Sequence, residues 1–385
     1  MSRARAGWAA LVGIILALLG TTAARAWPDP ATRLMPLRYG QLAGWGGTDL
    51  RPAFAAFRAV CARGTAGGPG PSLAAACAAA RALPRAPSAA AARRFFEAAF
   101  APAEVVPAGG GQGFFTGYYE PEAPGALRRT ARFSAPLLKA PPGLVAVPDG
   151  MRLPGVPVAL TAVVKGPSGR VAALPDRAAI EAGALAGRGL ELVWLDPVDA
   201  FFIQVQGSGR VRLADGRVLR VGFAGRNGWP YTAIARLLVE RGVMTRAEAT
   251  APALRAWLVA HPADAPGLMR ENRSYIFFRE TAPGAAIAPE GGAHVPLMPG
   301  TGIAIDRRIW PYGLPVWIDA DLATGPGGAL RRFRHLAVAE DAGDAIKGPA
   351  RADIFFGTGE RAGAIAGLVK QPGRFVVLVP RGAAR

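Results

Sequence analysis

Lysine is scarce in this sequence, occupying only Lys139, Lys165, Lys347 and Lys370. The formal charge of +18 is therefore almost wholly an arginine charge, scattered without any Lys/Arg block. That pattern argues against a nucleic-acid-binding arm. A diffuse basic field suits a polyanionic partner such as a cell-wall polymer or a membrane surface, and arginine bias alone accounts for it equally well. Histidine is scarcer still: His261, His294 and His335 lie far apart, with no cysteine at ligand spacing. No metal site of the Cys/His kind is expected, and no cofactor motif is found. QGSGRV faintly suggests a nucleotide loop, but no helix is expected to follow its glycines. Charged residues make up only 19% of the chain against 51% hydrophobic, which excludes a disordered protein and implies a sizeable buried core. Internal repeats are absent.

Cysteine occurs twice. Cys61 and Cys77 fall in Ala-rich helical stretches on either side of the turn-like GTAGGPGPS, as in a helical hairpin. In an oxidising compartment they are expected to form one disulfide, the alternative being two buried thiols. The N-terminus points to that compartment. Arg3 and Arg5 precede the apolar WAALVGIILALLG, and Ala24-Arg25-Ala26 offers a small-x-small cleavage site. The apolar run is short for a membrane span. Residues 1–26 are therefore read as a signal peptide, and the mature protein as exported and periplasmic. No cysteine near the cut suggests lipidation.

A helical region follows to about Pro102, with Phe54, Phe57 and Cys61, then Phe96 and Phe100, at helical spacing. After GGGQG at 109–113 the pattern turns mostly to strands, expected at 113–119, 157–165, 191–195, 201–206, 210–213 and 217–223. Asp215-Gly216 predicts a hairpin with a type I′ turn. Helices are expected over 230–241 and from the capping box Thr245-x-x-Glu248 to His261. Strands return at 275–279, 302–306, 314–318, 332–340, 353–356 and 374–379, with a short helix over 362–370. Many short strands with few helices predict a mainly β fold of the barrel type.

The segment most suggestive of chemistry is AEDAGDAIKGPARADIFFGTGERAG. A strand ends on Asp341, a Gly/Pro-containing loop follows, and a second strand starts on Asp353. Two carboxylates steered together by one loop make an acid/base site; Asp also caps turns, so spacing alone leaves both readings open. Other segments are polar and aromatic where a barrel needs neither. GFFTGYYEPE holds Tyr118, Tyr119 and Glu120; FIQVQGSGR holds Gln204 and Gln206; GRNGWPY holds Asn227, Trp229 and Tyr231; GIAIDRRIW holds Asp306. Aromatic faces with amides and carboxylates suit a carbohydrate groove, because sugar rings stack on aromatics while their hydroxyls need fixed partners.

Taken in order, TGYYEPE at 116–122, IQVQGSGR, GRNGWPY, NRSYIFFRE at 272–280, GTGIAIDRRIWPYG at 300–313 and EDAGDAIKGPARADIFFGTG resemble the lytic murein transglycosylase A family. The last two segments resemble its three-aspartate (3D) module, and the likeness covers roughly 110–380. It implies a double-psi β-barrel from residues 27–121 plus 270–385, with N-terminal helices, and a smaller inserted β-domain over 122–269. Glycan strands of peptidoglycan would lie in the groove between them. The resemblance implies cleavage of the β-1,4 bond between N-acetylmuramic acid and N-acetylglucosamine, leaving a 1,6-anhydromuramoyl end. By motif position it makes Asp353 the acid/base, Asp341 a supporting carboxylate and Asp306 the third aspartate. Tyr118, Tyr119, Glu120, Gln204, Gln206, Asn227, Trp229, Tyr231 and Lys347 are the substrate-groove candidates. A monomer is expected, and peripheral association with the outer membrane or wall-synthesis complexes is compatible with it. The chain departs from the family pattern at Asp344, where glycine is usual, at Arg273, where proline is common, and in showing no lipidation cysteine.

A single residue that gives a proton to the leaving oxygen and takes one from the sugar's own C6 hydroxyl needs a raised pKa. Two rivals remain open on sequence: a glycoside hydrolase on the same barrel, with Asp341 or Asp306 as base, and a non-catalytic glycan clamp.

Overall fold

The computed structural model describes residues 32–64, 69–281 and 288–382. The expected signal peptide lies outside them.

Six strands close into a barrel: β1 (Gly113–Glu120), β2 (Gly302–Ile305), β3 (Pro315–Leu322), β4 (Arg331–Ala342), β5 (Arg351–Thr358) and β6 (Lys370–Pro380). Around the barrel the order is β6–β3–β4–β2–β5–β1, returning to β6. β2–β4 and β5–β1 are parallel and the remaining pairs antiparallel. Alternate residues fill the interior: Val316, Ile318, Ala320 and Leu322 of β3 meet Ala337 and Ala339 of β4, and Phe115 stacks on Phe375. Closure is tight at Gly373, where a Cβ would lie 2.4 Å from that of Ala320.

The outer face is buried too. Trp317, Leu336, Val338, Val376 and Leu378 pack against helices Arg51–Arg63, Ala74–Ala82 and Ala89–Ala99 through Phe54, Phe57 and Phe96. Strands covered on both faces read as near-continuous apolar runs, as LPVWIDADL and FVVLVP do. A disulfide joins Cys61 to Cys77 across the first two helices. β6 is long enough to serve two neighbours. Its first half pairs with β1, and its second with Phe100–Pro107, which is edged by Thr32–Pro36.

Between β1 and β2 lies a second six-stranded sheet, ordered Ile276–Glu280, Val218–Arg226, Ser208–Arg212, Glu122–Ala126, Glu191–Leu195 and Ala135–Leu138. A three-stranded sheet (Leu144–Met151, Leu160–Lys165, Val171–Ala172) adjoins it.

Four local expectations are corrected. The 201–206 strand is a helix, Pro197–Gln206, whose Asp196 side chain accepts from the amides of Val198 and Asp199 and whose Gly207 closes it at φ 78°. The alternation of Gln204 and Gln206 with apolar residues misled. Phe201 and Phe202 bury on one side of the helix, while Ala200 and Ile203 bury on the second sheet. The Asp215-Gly216 hairpin forms, but only Gly216 has positive φ, so the turn is not type I′. The Thr245–Glu248 box closes on itself, yet the helix begins at Ala251 under a Thr250 cap. The Ile276–Glu280 strand, expected in the barrel portion, pairs with Val218–Arg226, which carries the insert some ten residues past 269. Alternation reveals a strand but not the sheet it joins.

Candidate active site

Asp353 sits on β5, opposite Ala304 of β2 and Thr116 of β1. Its position between two barrel strands holds the backbone rigidly and aims the carboxylate into a cleft between barrel and insert with a cavity volume of about 260 Å³. The Thr116 hydroxyl donates to Asp353 Oδ1 at 2.5 Å, and Arg351 in turn donates to Thr116 Oγ1 at 2.8 Å. Among the described residues nothing bonds Asp353 Oδ2. Burial pushes the Asp353 pKa up to about 6, and the nearby Asp341 charge adds to the rise; the Thr116 bond and the Arg351 charge oppose it.

Asp341 ends β4 on the same cleft. Both its oxygens are engaged: Oδ1 accepts from the amides of Gly292 (2.8 Å) and Ala342 (2.9 Å), and Oδ2 accepts from the Tyr118 hydroxyl at 3.0 Å. Burial still holds its pKa above the ordinary value, against those bonds. Tyr118 is locked in place, its ring 5.3 Å from that of Phe355. Burial first, then Asp341, keeps its hydroxyl protonated.

The loop from Asp341 to Arg351 is tied down from below. Asp306, at the end of β2, takes a bidentate ion pair from Arg308 (3.0 and 2.7 Å) and accepts from the Gly348 amide at 2.9 Å. Burial would raise its pKa, but the Arg308 and Gly348 bonds outweigh it and hold the carboxyl below its usual value. Trp310 donates to the Pro349 carbonyl, and Ile346 buries beside Tyr118, Ala304 and Phe355.

The insert builds the facing wall. Arg177, nearly fully buried, donates to the carbonyls of Asn272 (2.9 Å) and Ser274 (2.7 Å). Gln204 lines the cleft with its Oε1 buried and accepting no hydrogen bond from the described residues. Gln206 accepts from the Tyr119 amide, and Tyr231 completes the wall. Arg226 reaches across to pair with Asp344 of the loop.

Asp341, Asp353, Tyr118, Gln204, Gln206 and Tyr231 thus meet in one cleft; the other expected groove residues sit elsewhere. Glu120 is 0% exposed, receiving Thr358 at 2.7 Å and Arg220 at 2.9 Å where barrel meets insert. Tyr119 points from the opposite face of β1, against Gly363. Asn227 is wholly buried and bonds Pro175, Arg273 and Tyr275. Trp229 donates to the Leu174 carbonyl inside the insert, with Arg273 3.7 Å over its ring. Asp306 and Lys347 border a neighbouring cavity. Polar and aromatic residues at an insert's core and at a groove look alike in sequence. Thr116, Arg351, Arg226 and Arg177 went unforeseen; Thr116 carried a signal, since register with Asp353 follows once β1 and β5 pair.

The MltA specific insert domain matches residues 114–279, and the 3D domain matches 301–379. The chain is 38% identical over 205 residues to membrane-bound lytic murein transglycosylase A of Vibrio cholerae, covering 52% of this chain and 54% of that relative. It therefore spans about half the length of this curated relative. A membrane-bound lytic murein transglycosylase structure from Agrobacterium tumefaciens superimposes with TM-score 0.80 at 35% identity, covering 90% of this chain and 98% of that one. The structure of Escherichia coli MltA with bound chitohexaose gives TM-score 0.62 at 26% identity, covering 90% and 91%. No helix among the described residues is long and apolar enough to cross a membrane.

Proposed function

Because the chain belongs to the lytic murein transglycosylase A family, we propose that it cleaves the β-1,4 bond between N-acetylmuramic acid and N-acetylglucosamine in peptidoglycan, through Asp353 alone. The observation that carries this reading is the asymmetry of the two carboxylates. Asp353 has one oxygen without a partner among the described residues and a pKa raised to about 6, whereas Asp341 has both oxygens bonded.

Protonated Asp353 gives its proton to the glycosidic oxygen as the bond from C1 to that oxygen breaks. The resulting carboxylate takes the proton of the muramoyl C6 hydroxyl, whose oxygen closes on C1. One C–O bond is broken and one formed, and no water enters. The nucleophile is already tethered to the reacting ring, so positioning replaces water activation. Asp341 holds Tyr118 and supplies the anion beside Asp353; Asp306 acts through the loop it anchors. Gln204 Oε1 is an acceptor in search of a donor, and an acetamido N–H of the glycan supplies one. A hydrolase would need a second carboxylate free to activate water, which Asp341 is not.

The E. coli relative holds chitohexaose, which supports a sugar chain in this groove. The disulfide supports an oxidising compartment, and we read the protein as a periplasmic monomer. Mass spectrometry of digested sacculi tests the activity. Muropeptides about one water lighter than hydrolysis products are expected, and Asp353→Asn abolishes them. Ordinary reducing ends would instead identify a hydrolase.

A further inference from the structure

The cleft does not stop at the two aspartates. Beyond the Arg226–Asp344 ion pair it continues between barrel and insert into a second cavity of about 580 Å³. Phe223, Arg226, Ala342, Asp344 and Ile346 border both spaces, so the ion pair stands on the divide. The two spaces differ in charge. In the reaction cleft Asp341, Asp344 and Asp353 balance Arg177, Arg226 and Arg351. In the annex, Arg226, Arg307, Arg308 and Lys347 face only Asp306 and Asp344. Those two carboxylates are taken by Arg308 and Arg226. Arg307 lies 3.8 Å over the Tyr312 ring and donates to the Trp310 carbonyl. Lys347 is exposed and feels the Asp306 charge, but no carboxylate of the described residues lies within ion-pair distance of it. Apart from Thr161 and Arg226, which is taken by Asp344, the insert side of the annex is apolar, with Leu144, Ala146 and Phe223.

A surplus of positive charge on one wall and apolar surface on the other suits a carboxylate-bearing peptide better than a bare sugar, whose hydroxyls ask for amides and acids. We propose that the annex binds the carboxylates of the peptide stem carried by the muramoyl residue, with Lys347 as the contact that distinguishes substituted from bare glycan. This rests on the peptidoglycan reading above.

The test uses the full chain carrying Asp353→Asn, which binds without turnover, and calorimetric titration with three probes. These are peptide-bearing glycan oligomers, the same oligomers stripped by an amidase so that only the lactyl carboxylate remains, and chitohexaose, which has no carboxylate. Adding Lys347→Gln is expected to weaken the peptide-bearing probe about fivefold and the other two by less than twofold. Lys347→Arg restores the difference, and about 0.5 M salt erodes it. The proposal is overturned if Lys347→Gln weakens all probes alike, weakens only the stripped glycan, or changes none. It is likewise overturned if peptide-bearing and stripped glycans bind equally. Failure of all three probes to bind would instead remove the peptidoglycan reading itself.

Discussion

Asp353 keeps part of its proton near neutrality because burial penalises its charged form more than Thr116 and Arg351 favour it. A residue that must begin as the acid loses activity as pH rises through its pKa, so kcat/KM is expected to fall above about pH 6. Thr116→Val removes the bond that favours the carboxylate. The alkaline limb of the pH–rate profile then moves to higher pH, and an unmoved limb would show that Asp353 does not set it. Next to Asp341, Glu340 is buried with its pKa pushed up to about 8 by desolvation, relieved only by the Met298 amide and raised further by Asp341. Its unfolded pKa is near 4.5, so the folded state holds the extra proton between those values. This contribution is fully present below pH 4.5 and is lost as pH rises towards 8. Glu340→Gln is expected to flatten that slope and to raise Tm most at the alkaline end, as thermal melts across pH would register.

At the scale of elements, the site depends on the loop between β4 and β5 more than on either strand alone. Asp306 joins the end of β2 to Gly348 in the middle of that loop, so Asp306→Ala frees the loop without removing a group that touches substrate. A loss of about 1–3 kcal/mol follows from the severed charged hydrogen bonds, readable in denaturant unfolding. kcat is expected to fall while the pH limb set by Asp353 stays in place; a displaced limb would mean that Asp306 acts on the proton directly. The barrel strands were legible as short apolar runs bounded by turn residues, as in LPVWIDADL and FVVLVP, whose two faces bury in different cores. The Pro197–Gln206 helix was not. Its start and stop signals were present, but Phe, Ile and Val in succession carry strand propensity, and burial on two sides overrode it.

For the whole molecule, three helices clamp the outer barrel face, and the Cys61–Cys77 bridge spans two of them. Replacing both cysteines with serine is expected to reduce stability by about 3 kcal/mol in the chain-entropy account, seen as a lower denaturation midpoint. The sequence by itself determined the mainly β class, the strand-loop-strand that bears Asp341 and Asp353, and the helical hairpin that carries the cysteines. These features are written in residue spacing over a dozen positions or so, which local periodicity and turn chemistry can express. Only the tertiary structure decided which polar residues share a cleft. Tyr118 and Tyr119 are neighbours in the chain but face opposite sides of β1, while Thr116 and Asp353 are 237 residues apart and touch. Barrel closure sets those contacts, because pairing register between distant strands depends on the packing of both faces at once, and no single segment encodes it.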